Sequence, residues 1–137
     1  METEAFLGTA LSDHEQFKLL EQLAAGLPAA TLRQFKRATQ LADADVARML
    51  QVGGRTLSRL NVTKSRLSPD LSDRLYALAS VYALAEDVLG DAARARVWLA
   101  EPQHGLAGKR PHDLLASELG RSEVRALLKR LETGFLA

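Results

Sequence analysis

Apolar residues recur at intervals of three and four along most of this chain, and alternation of period two is nearly absent. A chain patterned this way is expected to be all-α, with little or no sheet. Ser12-Asp13-His14-Glu15 has the form of a capping box, which predicts a helix whose apolar stripe is Phe17, Leu20, Leu23 and Ala24, stopped at Gly26. Pro28 suits the first turn of a second helix carrying Leu32, Phe35 and Lys36. A third helix is expected over 43–50 and a fourth over 55–60, followed by a basic connector to Pro69. Residues 72–89 form the longest periodic run, with Leu75, Leu78, Ala79, Tyr82, Ala85, Val88 and Leu89 on one side and Gly90 at its end. Asp91 is placed to cap a short helix with Ala95, Val97, Trp98 and Leu99, which Pro102 stops. After a loop over 103–110, Pro111 opens a helix bearing Leu114, Leu115 and Leu119, closed by Gly120. Ser122 then caps a last helix with Val124, Leu127, Leu128 and Leu131 inward, ended by Gly134. The expectation is eight short helices, with no internal repeat.

With 137 residues, such a chain buries roughly two-thirds of its unfolded surface and needs no staple. The absence of cysteine excludes disulfides, thiolate metal sites and cysteine nucleophiles. The acidic start, Met1 to Glu15, lacks the basic and apolar regions of a signal peptide, and no apolar run approaches the roughly 20 residues of a membrane span. A cytoplasmic location, away from membranes, is therefore expected. The formal net charge is only +1, yet residues 28–66 hold eight basic residues against Asp43 and Asp45, a net of +6. Positive charge confined to one segment is the electrostatic signature of phosphate contact.

Residues 43–60 carry the sharpest local pattern. A helix–turn–helix needs an apolar then a small residue in its first helix, an apolar pair across the turn, and two buried residues three apart in its second helix. Val46, Ala47, Leu50, Val52, Leu57 and Leu60 meet these demands in order. Gln51 departs from the pattern, because a glycine is usual there; Gly53 and Gly54 are expected to absorb the bend instead. With Leu57 and Leu60 inward, the second helix presents Arg55, Thr56, Ser58 and Arg59 outward, residues able to contact bases and phosphates. Arg48, Lys64 and Arg66 flank this face, and the helix start at Gly54 offers free amides.

Reactive chemistry is not apparent. His14, His104 and His112 are scattered, no HExxH motif occurs, and His112 in a first helical turn reads as a surface residue. The dipeptide Gly108-Lys109 lacks the first glycine and the hydroxyl residue of a phosphate loop. Adjacent Glu86 and Asp87 point different ways on a helix and cannot act as an acid/base pair. Trp98 reads as a packing anchor. No catalytic residue, metal site or cofactor is expected.

The second half must then supply pairing, ligand or partner surfaces. Residues 1–66 are expected to form the DNA-binding unit and residues 67–137 the dimerisation and partner-binding unit. Leu71, Val81 and Leu84 lie off the main stripe of the long helix, which predicts a second packed neighbour. Phe135 and Leu136 follow the last stop, placed either to fold back on the core or to dock into a partner.

Five elements then appear in fixed order: Arg55-Thr56-Leu57-x-Arg59-Leu60; Leu67-x4-Ser72-x-Arg74-Leu75; Ala95-x2-Trp98-Leu99-x2-Pro102; Leu106-x-Gly108-x2-Pro111-x-Asp113-Leu114-Leu115; and Gly120-x3-Val124-x3-Leu128-x-Arg130-Leu131-x2-Gly134. Together, over about residues 12–137, the chain resembles the Xre/MbcA/ParS antitoxins, partners of RES-domain toxins. The resemblance implies an N-terminal Xre-type helix–turn–helix bundle packed with a C-terminal helical toxin-binding domain. It also implies repression of the chain's own operon, and neutralisation of a RES toxin that degrades NAD. DNA contact would fall on Arg48, Gly54, Arg55, Thr56, Ser58, Arg59 and Lys64. Toxin contact would fall on Lys109, Arg110, His112 and Asp113, and on Gly134, Phe135, Leu136 and Ala137, with the tail covering the toxin's NAD pocket. The partners expected are the RES toxin, operator DNA and a second copy of the chain. Two other functions remain open on sequence: a stand-alone helix–turn–helix regulator whose second half only dimerises, and a helical adaptor with no role on DNA.

Overall fold

A computed structural model describes residues 12–134 of the chain. Seven α-helices appear among them: α1 (Asp13–Ala25), α2 (Ala29–Thr39), α3 (Asp43–Leu50), α4 (Gly54–Leu60), α5 (Pro69–Leu89), α6 (Ala92–Ala100) and α7 (Glu118–Glu132), with 3-10 turns at His104–Leu106 and Pro111–Leu114. The fold is all-α. The only extended pairing among the described residues is an isolated bridge between Pro28 and Arg66.

Local chemistry fixes most of the helix ends. Ser12 and Glu15 form the reciprocal capping box of α1, and Asp91 accepts the amide of Arg94 at the start of α6. Gly26 ends α1 at φ 92°, where an added Cβ would lie 2.1 Å from the Leu67 carbonyl oxygen. Only glycine permits that approach. The chain crosses itself here: Leu67 N–H donates to Leu27 C=O (2.8 Å), and the buried Ser72 hydroxyl accepts the Leu27 N–H (2.8 Å).

Helix α5 is the axis of the molecule. Helices α1, α2, α3, α6 and α7 all pack against it, which is why its apolar residues exceed one face. Leu71 and Val81 are buried on it together with Leu75, Leu78 and Ala85, so the second neighbour required by the sequence lies within the chain. The core runs unbroken from Leu19 to Leu128 through both halves. At its centre Phe35 and Tyr82 meet edge to face, with ring centroids 5.6 Å apart, a favoured aromatic geometry.

Several expectations need correction. The seventh expected helix, from Pro111 to Gly120, is a single 3-10 turn over Pro111–Leu114. The last helix starts earlier, with Ser117 rather than Ser122 accepting its first amides. Gly120 is not a stop but lies inside α7, where a Cβ would stand 1.8 Å from the Leu114 carbonyl oxygen. Its role is to let the preceding turn lie against the helix, a demand that outweighs the helix penalty of glycine. Consequently Leu119 points outward, 73% exposed. On α1 the covered face is Leu19 and Leu23, while Phe17 and Leu20 are exposed. Val97 is also exposed, and Trp98 is half-buried at the core's edge rather than within it.

Candidate functional site

The two-helix unit α3–α4 has the packing its sequence specifies. Val46, Ala47, Leu50, Leu57 and Leu60 are buried, and Val52 is half-buried against them. The bend, however, is not absorbed by the glycines. Gln51 itself takes the left-handed conformation (φ 58°), while Gly53 is extended at φ −75°, ψ 163°. A non-glycine residue there costs about 1–2 kcal/mol. Its side chain offsets part of this by donating from Nε2 to the Ala116 carbonyl (2.8 Å). Gly53 and Gly54 have open space where a Cβ would stand, so backbone at the start of α4 is accessible.

Burying Leu57 and Leu60 leaves Arg55, Ser58 and Arg59 exposed and Thr56 half-buried on the other side of α4. Both acids of the basic segment are already engaged. Lys36 pairs with Asp43 and donates to Asn61 (2.8 Å), and Arg48 pairs with Asp45 (3.1 Å). Arg33 is held by the carbonyls of Leu60 and Thr63. Arg55, Arg59 and Lys64 form no hydrogen bond or ion pair with the described residues. Arg37 is likewise exposed and unpaired near the end of α2; the rest of the segment's uncompensated charge lies on and beside α4, where it is free for an anionic partner.

Arg48 departs from this face. It donates to the His112 carbonyl (3.2 Å), reaching across 64 residues to the second half. Together with the Gln51 bond it straps α3 and its turn to residues 112–116. Sequence separations of this size leave no local signal, and neither role was readable in advance.

The residues named for partner contact divide into three groups. Lys109 is exposed and unpaired. Arg110 and Asp113 form a two-pronged ion pair (3.0 and 2.9 Å) across the 3-10 turn, and the Arg110 hydrogen bonds hold the Asp113 carboxyl below its ordinary pKa. His112 is not a free surface residue. Its ring is half-buried, stacks on Tyr82 at 5.9 Å, and exchanges a 2.6 Å hydrogen bond with the Tyr82 hydroxyl. Burial lowers the His112 pKa, with nearby Arg110 and Arg48 adding to the effect and Asp45 opposing it. The imidazole is therefore neutral near pH 7. Burial likewise raises the Tyr82 pKa. Gly134 stands just past α7 at φ 85°, a left-handed stop. Phe135, Leu136 and Ala137 lie outside the described residues.

Among the described residues no three His, Asp or Glu gather into a metal-holding group, and no helix is long and apolar enough to cross a membrane. Comparison with known proteins then settles the kind of molecule. A family model described as the antitoxin Xre-like helix-turn-helix domain matches residues 18–80. A second, described as the antitoxin Xre/MbcA/ParS C-terminal toxin-binding domain, matches residues 84–134. The chain belongs to the Xre/MbcA/ParS-type antitoxins. An antitoxin Xre of Pseudomonas putida is 33% identical over 81 residues, 59% of this chain and 51% of that protein. One from Yersinia enterocolitica is 34% identical over 92 residues, 66% of this chain and 62% of that protein. A third, from Photorhabdus laumondii, is 28% identical over 113 residues, covering 82% and 76% respectively. The chain thus spans about half the length of the first relative it matches and less than two thirds of the second. The family is one of antitoxins, not of enzymes. The two matched regions meet within α5 rather than at a linker, in keeping with the continuous core.

Proposed function

We propose that this chain is the antitoxin of a toxin–antitoxin pair, binding operator DNA of its own operon through α4 and a RES-domain, NAD-degrading toxin through its second half. The observation that carries the DNA part is the unpaired basic face of Arg55 and Arg59, left over after Asp43 and Asp45 have taken their partners. Arg55, Thr56, Ser58 and Arg59 contact the groove, while Gly54 and Lys64 contact phosphates. Arg48 serves this face indirectly, by fixing α3 to residue 112. Residues 1–66 are the DNA-reading unit and 67–137 the pairing and toxin-binding unit; the division is one of task, since the core is shared. Two copies pair to address two half-sites, as helix–turn–helix dimers do.

Toxin contact is assigned to Lys109, to the rigid Arg110–Asp113 turn and to the tail after Gly134. Silencing occurs when the tail covers the toxin's NAD pocket. Co-expression with the product of the adjacent reading frame tests the reading. Growth restored against a toxic neighbour, with the two proteins purifying together, is the expected result. A neighbour that neither poisons cells nor binds this chain would remove the assignment. Deleting Phe135–Ala137 is expected to abolish protection, and full protection with an equally stable complex would refute the covering mechanism.

A further inference from the structure

Beside the exposed face of α4 lies a cleft of about 390 Å³, bounded by the turn after α3, by α4, by the basic connector and by the start of α5. Three guanidinium groups line it: Arg59, Arg66 and Arg74. Arg66 donates from Nη1 to the Gly26 carbonyl (2.8 Å) and Arg74 from Nη1 to the Leu50 carbonyl (2.6 Å). A guanidinium has five N–H donors, so one anchoring bond positions each group and leaves further donors for a ligand. Such anchoring reduces the ordering cost of binding. Arg59 has no partner among the described residues.

Two of the cleft's four hydroxyls, those of Thr63 and Ser68, are arranged in the same sense. Thr63 Oγ1 accepts the Ser65 N–H (3.2 Å), and Ser68 Oγ accepts the Leu71 N–H (3.2 Å). Each oxygen is oriented by an internal donor while its own O–H remains available to give. No carboxylate lines the cleft. Three cations and two donor hydroxyls facing a space without anions form a receptor for a planar or tetrahedral oxyanion, and guanidinium forks favour phosphate in particular.

The geometry points to this cleft as a phosphate-binding site, with Arg66 and Arg74 as ligand residues in addition to Arg59. The phosphate is either a backbone group of DNA flanking the groove that α4 enters or the phosphate of a free mononucleotide, for which the volume is sufficient. The first source rests on the DNA reading above; the second does not.

Amide-resolved NMR titration of the full chain with adenosine monophosphate, alongside salt-dependent binding to the DNA upstream of its own coding sequence, separates these sources. Arg66→Gln and Arg59→Gln are the informative variants. Arg55→Gln, on α4 but outside the cleft, is the control. For a free nucleotide, the amides of Ser65, Arg66, Leu67, Ser68 and Leu71 shift saturably and Arg66→Gln weakens binding about tenfold. For DNA, Arg66→Gln flattens the salt dependence by about one unit of slope, with no shift from the nucleotide. Either result supports the site, and the nucleotide result does so even where DNA fails to bind. If Arg66→Gln leaves both nucleotide and DNA binding unchanged, and Arg59→Gln leaves nucleotide binding unchanged, the inference is overturned. DNA binding weakened by Arg55→Gln and Arg59→Gln but not by Arg66→Gln would then leave the DNA reading in place without the cleft.

Discussion

Charge is treated in opposite ways on α4 and around the start of α7. On α4, Arg55 and Arg59 face outward without partners, because the two acids nearby are held by Lys36 and Arg48. Around the start of α7 the arginines are closed on acids: Arg110 on Asp113, and both Arg121 and Arg125 on Glu118. An unpaired exposed charge costs the fold little and is ready for a partner, whereas a paired one has a fixed direction and a smaller net field. The first region is built to attract a polyanion over distance; the second is built to present a shape.

If that contrast is right, substitutions in the second half should act mainly on stability, and substitutions on α4 mainly on binding. The largest effect is expected from Gly120→Ala, where the new methyl meets the Leu114 carbonyl oxygen at 1.8 Å. Helix and turn must separate, at a cost of about 3 kcal/mol, read from the urea midpoint. Next comes Arg121→Ala. Arg121 is 8% exposed and donates to the Leu115 carbonyl (2.9 Å), so its loss leaves a buried acceptor unpaired and should cost about 2 kcal/mol.

A smaller effect tests the junction between the halves. Tyr82→Phe removes the 2.6 Å bond to His112 and should cost about 1 kcal/mol at pH 7. The same contact gives a pH signature. Because the folded His112 pKa lies below its ordinary 6.5, protons bind the unfolded chain more readily. Stability should be level above about pH 7 and fall as the pH drops through 6.5. It should become level again, as far as this group is concerned, once the folded His112 is itself protonated. His112→Gln should flatten that part of the profile, and an unchanged acid slope would show that other groups carry it. The smallest effect on folding is expected from Arg55→Ala and Arg59→Ala. Thermal midpoints should hardly move, yet each change should weaken binding to the operator by about 1–3 kcal/mol and relax its sequence preference. A marked loss of stability would erase the contrast between the halves.

What the sequence revealed was what local rules govern. The capping box at Ser12, the cap at Asp91 and the stops at Gly26 and Gly90 depend on residues within one turn. The α3–α4 register depends on six apolar positions within fifteen residues. The errors arise where a distant group decides. Gly120 reads as a terminator until the Leu114 carbonyl is seen beneath it. Gln51 reads as unsuited to its turn until Ala116, 65 residues later, receives its side chain. His112 reads as a surface residue until Tyr82 covers it. On α1 two apolar stripes compete, and periodicity cannot say that Leu19 rather than Phe17 meets α5. The partner-contact assignment remains legible only through family resemblance, since Lys109 and the Arg110–Asp113 turn follow no general chemical motif.

The bond from Gln51 to Ala116 bears on how such molecules could be recombined. A chimera joining this DNA-reading half to another protein's second half would inherit the twisted backbone at position 51 but lose the carbonyl that steadies it. Swaps of this kind should succeed only when the incoming half supplies an acceptor at the same spot, or when glycine replaces Gln51.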